Sequence, residues 1–556
     1  MMDERENQSF QAPQEPVLPM SDIQGIVVPG FLKQHHTLIG IRAPDRKEAN
    51  AELRRFIREF AEQTTTASEA LKDRRNHRAA KQNRADRTPS KPLVAIAFSY
   101  IGLLKVTMGA SSLPSDAFRQ GLSARSAYLG DPSNPESPGH PGKWKIGGPG
   151  EELDALIVVA GDTRDQVDAR ADDVLRMLDG ARLKVAYHEK GDVRDDFPGR
   201  EHFGFSDGIS QPGIRGRASD DPSDFITPRH IARDAEPAHS LFGYPGQDLV
   251  WPGVLLLGQP ASSPDPLIPG IPSSAIPNWS QNGSYLVFRR LRQDVPLFWK
   301  TMGSEANRLS KLPGFEGTTT QKLAAHLVGR WPSGAPVNRS PLNDDEALGN
   351  EPLANNHFRF DSDAEALPLT SGFVDKHPQS KADPAGITCP WAAHIRKVNT
   401  RDSASDTGGR DSTYIRRILR VGIPYGKPLT DGDADVKFEK DKKSEEDPYV
   451  KTESQPDKDD RGLLFLSIQA SIEDQFEFLV TRWMGDPSRP KMPAGHDIVV
   501  GQNDAAGEHR ERRCVLFGSG LQQATVTTNA QWIVPTGGGY FFVPSLSALR
   551  GVLGGM

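Results

Sequence analysis

Strand-length apolar runs alternate with amphipathic helical segments along this chain, and that alternation most narrowly limits what it can fold into. "HTLIGIR" (36–42) reads as a strand, and "DRKEANAELRRFIREFAEQ" then places Leu53, Phe56, Ile57 and Phe60 at helical spacing. "PLVAIAFSYIGLLKV" (92–106) begins as a strand and turns, and "DALIVVAGD" (154–162) is apolar enough for a buried strand. "TRDQVDARADDVLRMLDG" sets Val167, Val174, Leu175 and Leu178 on one helical face, and "LKVAYHEKG" returns as a strand. Two strand–helix–strand units predict an α+β sandwich of ferredoxin-like type over residues 21–200. The pattern recurs in "GSYLVFRRLRQDVPLFWKTM" (283–302) and "GLLFLSIQASIEDQFEFLVTRWM" (462–484). In the second of these, Ile472, Phe476, Leu479, Val480 and Trp483 share a face. A second, related α+β half is therefore expected over 201–556.

The 556 residues suffice for two such halves. Residues 1–20 read as a disordered leader, and 427–461, highly charged and poor in apolar residues, as a surface insertion. The formal net charge of −6, from 67 basic and 73 acidic residues, argues against a nucleic-acid partner. The basic stretch 72–87 lacks interleaved aromatics and reads as a solvated loop. Two cysteines, Cys389 and Cys514, with no C-x-x-C, exclude zinc ribbons and iron–sulfur centres as dominant features. No run approaches the roughly 18 apolar residues of a membrane span, and the N-terminus has no apolar signal core. A cytoplasmic protein with no membrane partner is expected.

Three segments carry candidate chemistry. "EHFGFSDGISQPGIRG" (201–216) holds one carboxylate, Asp207, among small residues, with Gly204 and Gly208 beside it and a turn at Gln211, Pro212 and Gly213. In "CPWAAHIRKVNTR" (389–401), His394 follows small apolar residues and precedes cations. An imidazole offered to a metal and a partly buried helical histidine beside Arg396 and Lys397 fit that context equally. In "YIRRILRVGIPYG" (414–426), Arg416, Arg417 and Arg420 form either a solvated basic face or, for Arg420, an inward cation before the Gly-Ile-Pro turn. His326, within "KLAAHLVGRWPSG", reads as a satisfied core residue.

"GFSDGISQP", "CPWAAHIRKVN", "RRILRVGIPYG", "GLLFLSIQ" and "PTGGGYFFVPS", in this order, closely resemble the dye-decolorizing peroxidase family. "VGRWPSGAP" (328–336), "DIQGIVVPGF" and "AFRQGLSARSAYLGD" (117–131) add to the likeness, which spans nearly the whole chain after residue 20. The resemblance implies a dimeric ferredoxin-like fold with haem b in the C-terminal half. It implies hydrogen peroxide as oxidant and dyes, phenols or other organic compounds as one-electron reductants. His394 matches the proximal iron ligand, Asp207 the distal acid and Arg420 the distal arginine. Leu463 and Phe465 match the apolar lining of the distal side. Asp497 of "GHDIVVGQ" matches the acid behind the histidine, although Ile498 stands where the family carries proline. No added tail is read beyond the last strand, so an encapsulating shell is not an expected partner.

Asp207 would shuttle the proton between the two peroxide oxygens, and Arg420 would favour its ionised form and stabilise negative charge on those oxygens. Because the reference pKa of aspartate is near 4, such a base stays active in acid, and an acidic optimum is expected. Trp391, Trp483 and Tyr414 are candidate relays to bulky dyes, with packing roles the more frequent use of such residues. The alternative function is a haem-binding or iron-releasing protein, which needs His394 but neither Asp207 nor Arg420.

Overall fold

The computed structural model describes residues 13–44, 46, 48–82, 88–272, 276–429, 459–502 and 511–555. Eight apolar strands pair in antiparallel fashion: β1 (His35–Arg42), β2 (Leu93–Phe98), β3 (Ala155–Gly161), β4 (Lys184–Asp192), β5 (Ser284–Gln293), β6 (Leu419–Tyr425), β7 (Gly462–Gln469) and β8 (Ile533–Val543). They form one sheet in the order β6-β7-β5-β8-β2-β3-β1-β4. Each group of four has the ferredoxin-like order: its second and third strands, then its first, then its fourth. The groups join where Phe542 of β8 pairs with Phe98 of β2. At the other edges β4 meets β6, and a Cβ on Gly191 would stand 2.6 Å from the Ile423 Cγ2 atom. The sheet thus closes on itself, which protects both edges.

Strand side chains alternate between two faces. Inside the closed sheet, Leu38, Leu156, Val158, Phe288, Leu464 and Leu466 belong to one buried cluster. On the outer face of the N-terminal strands, Ile39, Ile96, Ile157 and Val159 pack under helices α1 (Ala49–Ala61) and α2 (Arg164–Gly180). The helices supply Leu53, Phe56, Ile57 and Phe60, and Val167, Val174 and Leu178, the positions at 3.6-residue spacing. Leu175 is only partly buried at the edge of that cluster.

In the C-terminal group the helices stand off the sheet. Helices α3 (Val295–Leu309) and α4 (Thr320–Val328) pack on each other around Phe298, Trp299, Leu323 and Trp532. A long irregular excursion then leads to the short α5 (His394–Val398). The helix expected after β7 is wound as π-helix over Ile472–Glu477 and Leu479–Met484. Its i→i+5 winding buries Ile472 and Trp483 while Phe476, Leu479 and Val480 line a cavity.

Two expectations change. The leader is not disordered through residue 20: Leu18 and Met20 are buried, and Glu15 pairs with Arg215 and Arg229. Apolar burial and a shielded ion pair outweigh the ordering entropy there. Residues 1–12 of that leader lie outside the described residues. The solvated loop expected at 72–87 is helical through Gln82, continuing the helix Ala67–Gln82 whose first turns bury Ala67, Ala70 and Leu71, and residues 83–87 lie outside the described residues. The insertion at 427–461 falls mostly outside the described residues. Both cysteines are free and buried. No helix among the described residues is long and apolar enough to cross a membrane.

Candidate active site

A cavity of about 310 Å³ lies between the outer face of β5, β6 and β7 and the irregular segments that replace a helix layer. Its volume falls at the lower end of the roughly 300–1,000 Å³ usual for ligand sites. Asp207, His394, Arg420, Leu463 and Phe465 all line it. Asp497 stands behind His394 instead of on the cavity wall.

Asp207 is held by backbone geometry that few side chains permit. Gly204 (φ +98°) and Gly208 (φ +77°) flank it in left-handed conformations. The Gly208 amide donates to Asp207 Oδ1 at 2.6 Å, and Arg420 Nη1 donates to the same oxygen at 3.3 Å. Its Oδ2 faces Gly422 of β6, where an added Cβ would come within 3.0 Å. A reciprocal clasp pins the loop to the strand. The Arg420 amide donates to Gln211 Oε1, and Gln211 Nε2 donates to the Arg420 carbonyl, both at 3.0 Å. Arg420 Nη2 also donates to the Ser210 carbonyl at 3.1 Å. Beneath the loop, half-buried Glu201 accepts the Phe203 and Phe205 amides at 2.8 Å and the Gln293 side chain. Burial pushes the Glu201 carboxyl up, aided by the Asp207 charge and opposed by these three bonds.

His394 opens α5. Its Nδ1 lies 2.7 Å from Asp497 Oδ2, leaving Nε2 for the cavity. The Asp497 side chain is wholly buried, and its Oδ1 accepts the Val499 and Val500 amides at 3.1 and 3.2 Å. Burial raises its carboxyl, but His394, the Val500 amide and Lys397 outweigh that and hold it below the usual carboxylate range. The buried Lys397 ammonium donates to the carbonyls of Asp486, Arg489 and Gly495, and burial pushes it down to about 8. Ile498 in place of the expected proline does not disturb this contact. Arg396 anchors α5 from behind by lying 3.8 Å from the Trp391 ring centroid and 4.5 Å from that of Phe360.

Sequence reasoning did not single out Arg330 and Arg401 and read Arg417 only as part of a basic run, yet the three line one side of the cavity. Arg417 Nη2 donates to Asp248 Oδ2 at 3.0 Å, while its buried Nη1 has no partner among the described residues. Burial alone would raise Asp248, yet Arg410 and Arg417 hold it far below the usual range. Arg289 of β5 was missed as well. It meets fully buried Asp131 through two bonds of 3.0 and 2.8 Å. Both residues lie inside stretches noted for their sequence alone, and what was lacking was any sign of their direction. Trp391, Trp483 and Tyr414 are each 3% exposed or less, so none presents a surface to a dye. Trp483 Nε1 instead donates to Asp406 at 2.9 Å.

A closed, two-module α+β barrel whose second module holds a carboxylate-supported histidine and an aspartate–arginine pair in one cavity defines a class of protein. Residues 22–195 match the family described as the DyP dimeric alpha+beta barrel domain. Peroxidase 2 of Mycetinis scorodonius is 31% identical over 468 residues, 83% of this chain and 76% of that protein. A multifunctional dye peroxidase of Amycolatopsis is 28% identical over 80% of this chain and 79% of its own. The solved structure of an ancestral D-type dye decolorizing peroxidase superposes with a TM-score of 0.71 at 32% identity, covering 98% of this chain and all of that one. This chain belongs to the dye-decolorizing peroxidase family, is a peroxidase, and by that membership uses haem.

Proposed function

We propose that the cavity takes haem b, with His394 Nε2 as its protein ligand, and that hydrogen peroxide is cleaved beside Asp207 and Arg420 at the expense of an organic one-electron reductant. The residues present fit such a group. The wall offered by Leu463, Phe465, Phe476, Leu479 and Val480 is apolar, as a flat macrocycle requires. The rim carries arginines in excess of carboxylates, and the orphaned Nη1 of Arg417 suits a propionate-like anion. No group of three or more His, Cys, Asp or Glu able to hold a metal occurs among the described residues, which suits an iron that brings its own ring nitrogens.

When bound, the haem would supply the two electrons that peroxide cleavage consumes and would recover them one at a time from the organic reductant. The chain's own tasks follow from its contacts. Asp497, held anionic, accepts the Nδ1 proton of His394, fixes the tautomer and makes Nε2 a stronger donor. Asp207 takes a proton from the near peroxide oxygen and delivers it to the far one, which leaves as water. Arg420 orients that carboxylate through its 3.3 Å hydrogen bond and stabilises charge on the oxygens. Leu463 and Phe465 restrict the space above to small oxidants.

The observation that carries this reading is the meeting, in one cavity, of the Asp497-supported His394 with the Asp207–Arg420 pair. Simple haem carriage would need only the first. Purified protein should show a Soret band that shifts on peroxide addition and returns when a phenol is added. A Soret band indifferent to peroxide would make the chain a haem carrier, and no band would make it a haem-free module.

A further inference from the structure

A second, smaller cavity of about 50 Å³ lies behind β6. Leu419, Arg420 and Val421 line it, and Arg420 also lines the larger cavity. Its opposite wall is the helix Ala67–Gln82, which presents Leu71, Arg74, Arg75 and Arg78 at spacings of three and four residues, hence on one face. Arg75 is neutralised by Asp224 at 2.7 Å. Arg74 donates to the Pro29 carbonyl at 3.3 Å, and Arg78 stands 5.7 Å from the Tyr244 ring centroid. No carboxylate pairs with Arg74 or Arg78 among the described residues. Burial and the neighbouring Arg78 push Arg74 down to about 10, and the two guanidiniums line one cavity with no carboxylate partner among the described residues. At the mouth, Leu32 is 59% exposed.

We propose that this cavity binds the carboxylate or sulfonate headgroup of an aryl reductant, one sheet strand away from the haem cavity. Arg74 and Arg78 hold the anion, Tyr244 closes one side and Leu32 supports the aromatic ring outside. The volume admits a headgroup, since one water needs about 10–15 Å³ on this measure, and excludes a larger body. The Gln211–Arg420 clasp borders both cavities, so a reductant seated here is held next to the loop that carries Asp207.

The inference rests on the peroxidase reading only for calling the ligand a reductant. Binding of benzoate to the holoenzyme by calorimetry should weaken about tenfold or more in the Arg74→Gln/Arg78→Gln double variant, with the Soret band unchanged. Leu32→Asp, at an exposed position, should weaken it too by placing a like charge at the mouth. In turnover, KM for 4-hydroxybenzoate should rise similarly while kcat and the KM for neutral 2,6-dimethoxyphenol stay unchanged. Wild-type benzoate affinity in the double variant or in Leu32→Asp overturns the proposal, as does an equal rise in KM for both phenols. Loss of turnover with both phenols in the wild-type protein would instead tell against the peroxidase reading and leave the binding result to be judged separately.

Discussion

The two halves of the barrel share one strand order and differ in what their outer faces carry. In the N-terminal half that face is aliphatic, with Ile39, Ile96, Ile157 and Val159 sealed under α1 and α2. In the C-terminal half the equivalent face carries Arg289 and Gln293 on β5, Arg420 and the side-chain-free Gly422 on β6, and Leu463 and Phe465 on β7. Cations on that face need partners, because unpaired charges are costly to bury, and Arg289 finds Asp131 while Arg420 finds Asp207. Loops with dense hydrogen bonding take the helices' place and leave a cavity. One topology thus serves as a filled core in one half and as a functional wall in the other, and the difference lies in a handful of outward positions.

The sharpest way to break this comparison is to remove the charges from the functional wall. Asp207→Asn and Arg420→Leu should each slow the peroxide-dependent Soret change by about 10²–10⁴-fold while keeping the haem. Stopped-flow spectra check this, and wild-type rates would end the assignment. Asp497→Asn should lower peroxidase activity or haem retention about 10–100-fold, since the neutral amide no longer orients and polarises His394. Gly422→Ala should slow the peroxide step about tenfold with little loss of stability, by pressing a methyl group on Asp207 Oδ2 and Leu463.

The N-terminal half should respond in the opposite currency. Ile157→Ala, in the sealed face, should cost about 2–5 kcal/mol of stability in denaturant titrations and leave the turnover of folded protein unchanged. A further effect on stability is a pH dependence common to both halves. His36, His202 and His357 are buried, and burial pushes each down to about 4 from the ordinary 6.5. The unfolded chain therefore binds protons that the folded one refuses. Stability is full above pH 6.5 and is lost as pH falls toward 4. Melting temperatures measured across that window should fall. An aspartate base would then work best where the fold begins to weaken, and a melting temperature flat from pH 6.5 to 4 would refute the linkage.

Legibility in the sequence followed the range of the forces involved. Six of the eight strands and α1, α2 and α3 were readable because period-2 and period-3.6 burial is local, whereas β6, read only as an apolar run with arginines, and β8 were not. The helix after β7 was readable as an element, but its π winding depends on what lies beneath it. Asp207, His394 and Arg420 were found through motifs, not through spacing, which had left His394 and Arg420 open to bland readings. Arg289 with Asp131, and Arg417 with Asp248, stayed hidden because each pair joins residues more than 150 positions apart. Arginines in a basic run look alike until packing turns some inward.

By itself, the sequence determined which segments become strands and helices, because apolar periodicity acts between near neighbours. It also set the glycines that make room at Asp207, because left-handed backbone is a property of the residue. Only the tertiary structure decided that two four-stranded sheets become one closed barrel. It also decided that Asp497 reaches His394 across 103 positions, and that Gln211 locks the acid's loop to β6. Those contacts are made by the long-range closure of the sheet, which brings together groups whose chemistry no local stretch of chain expresses.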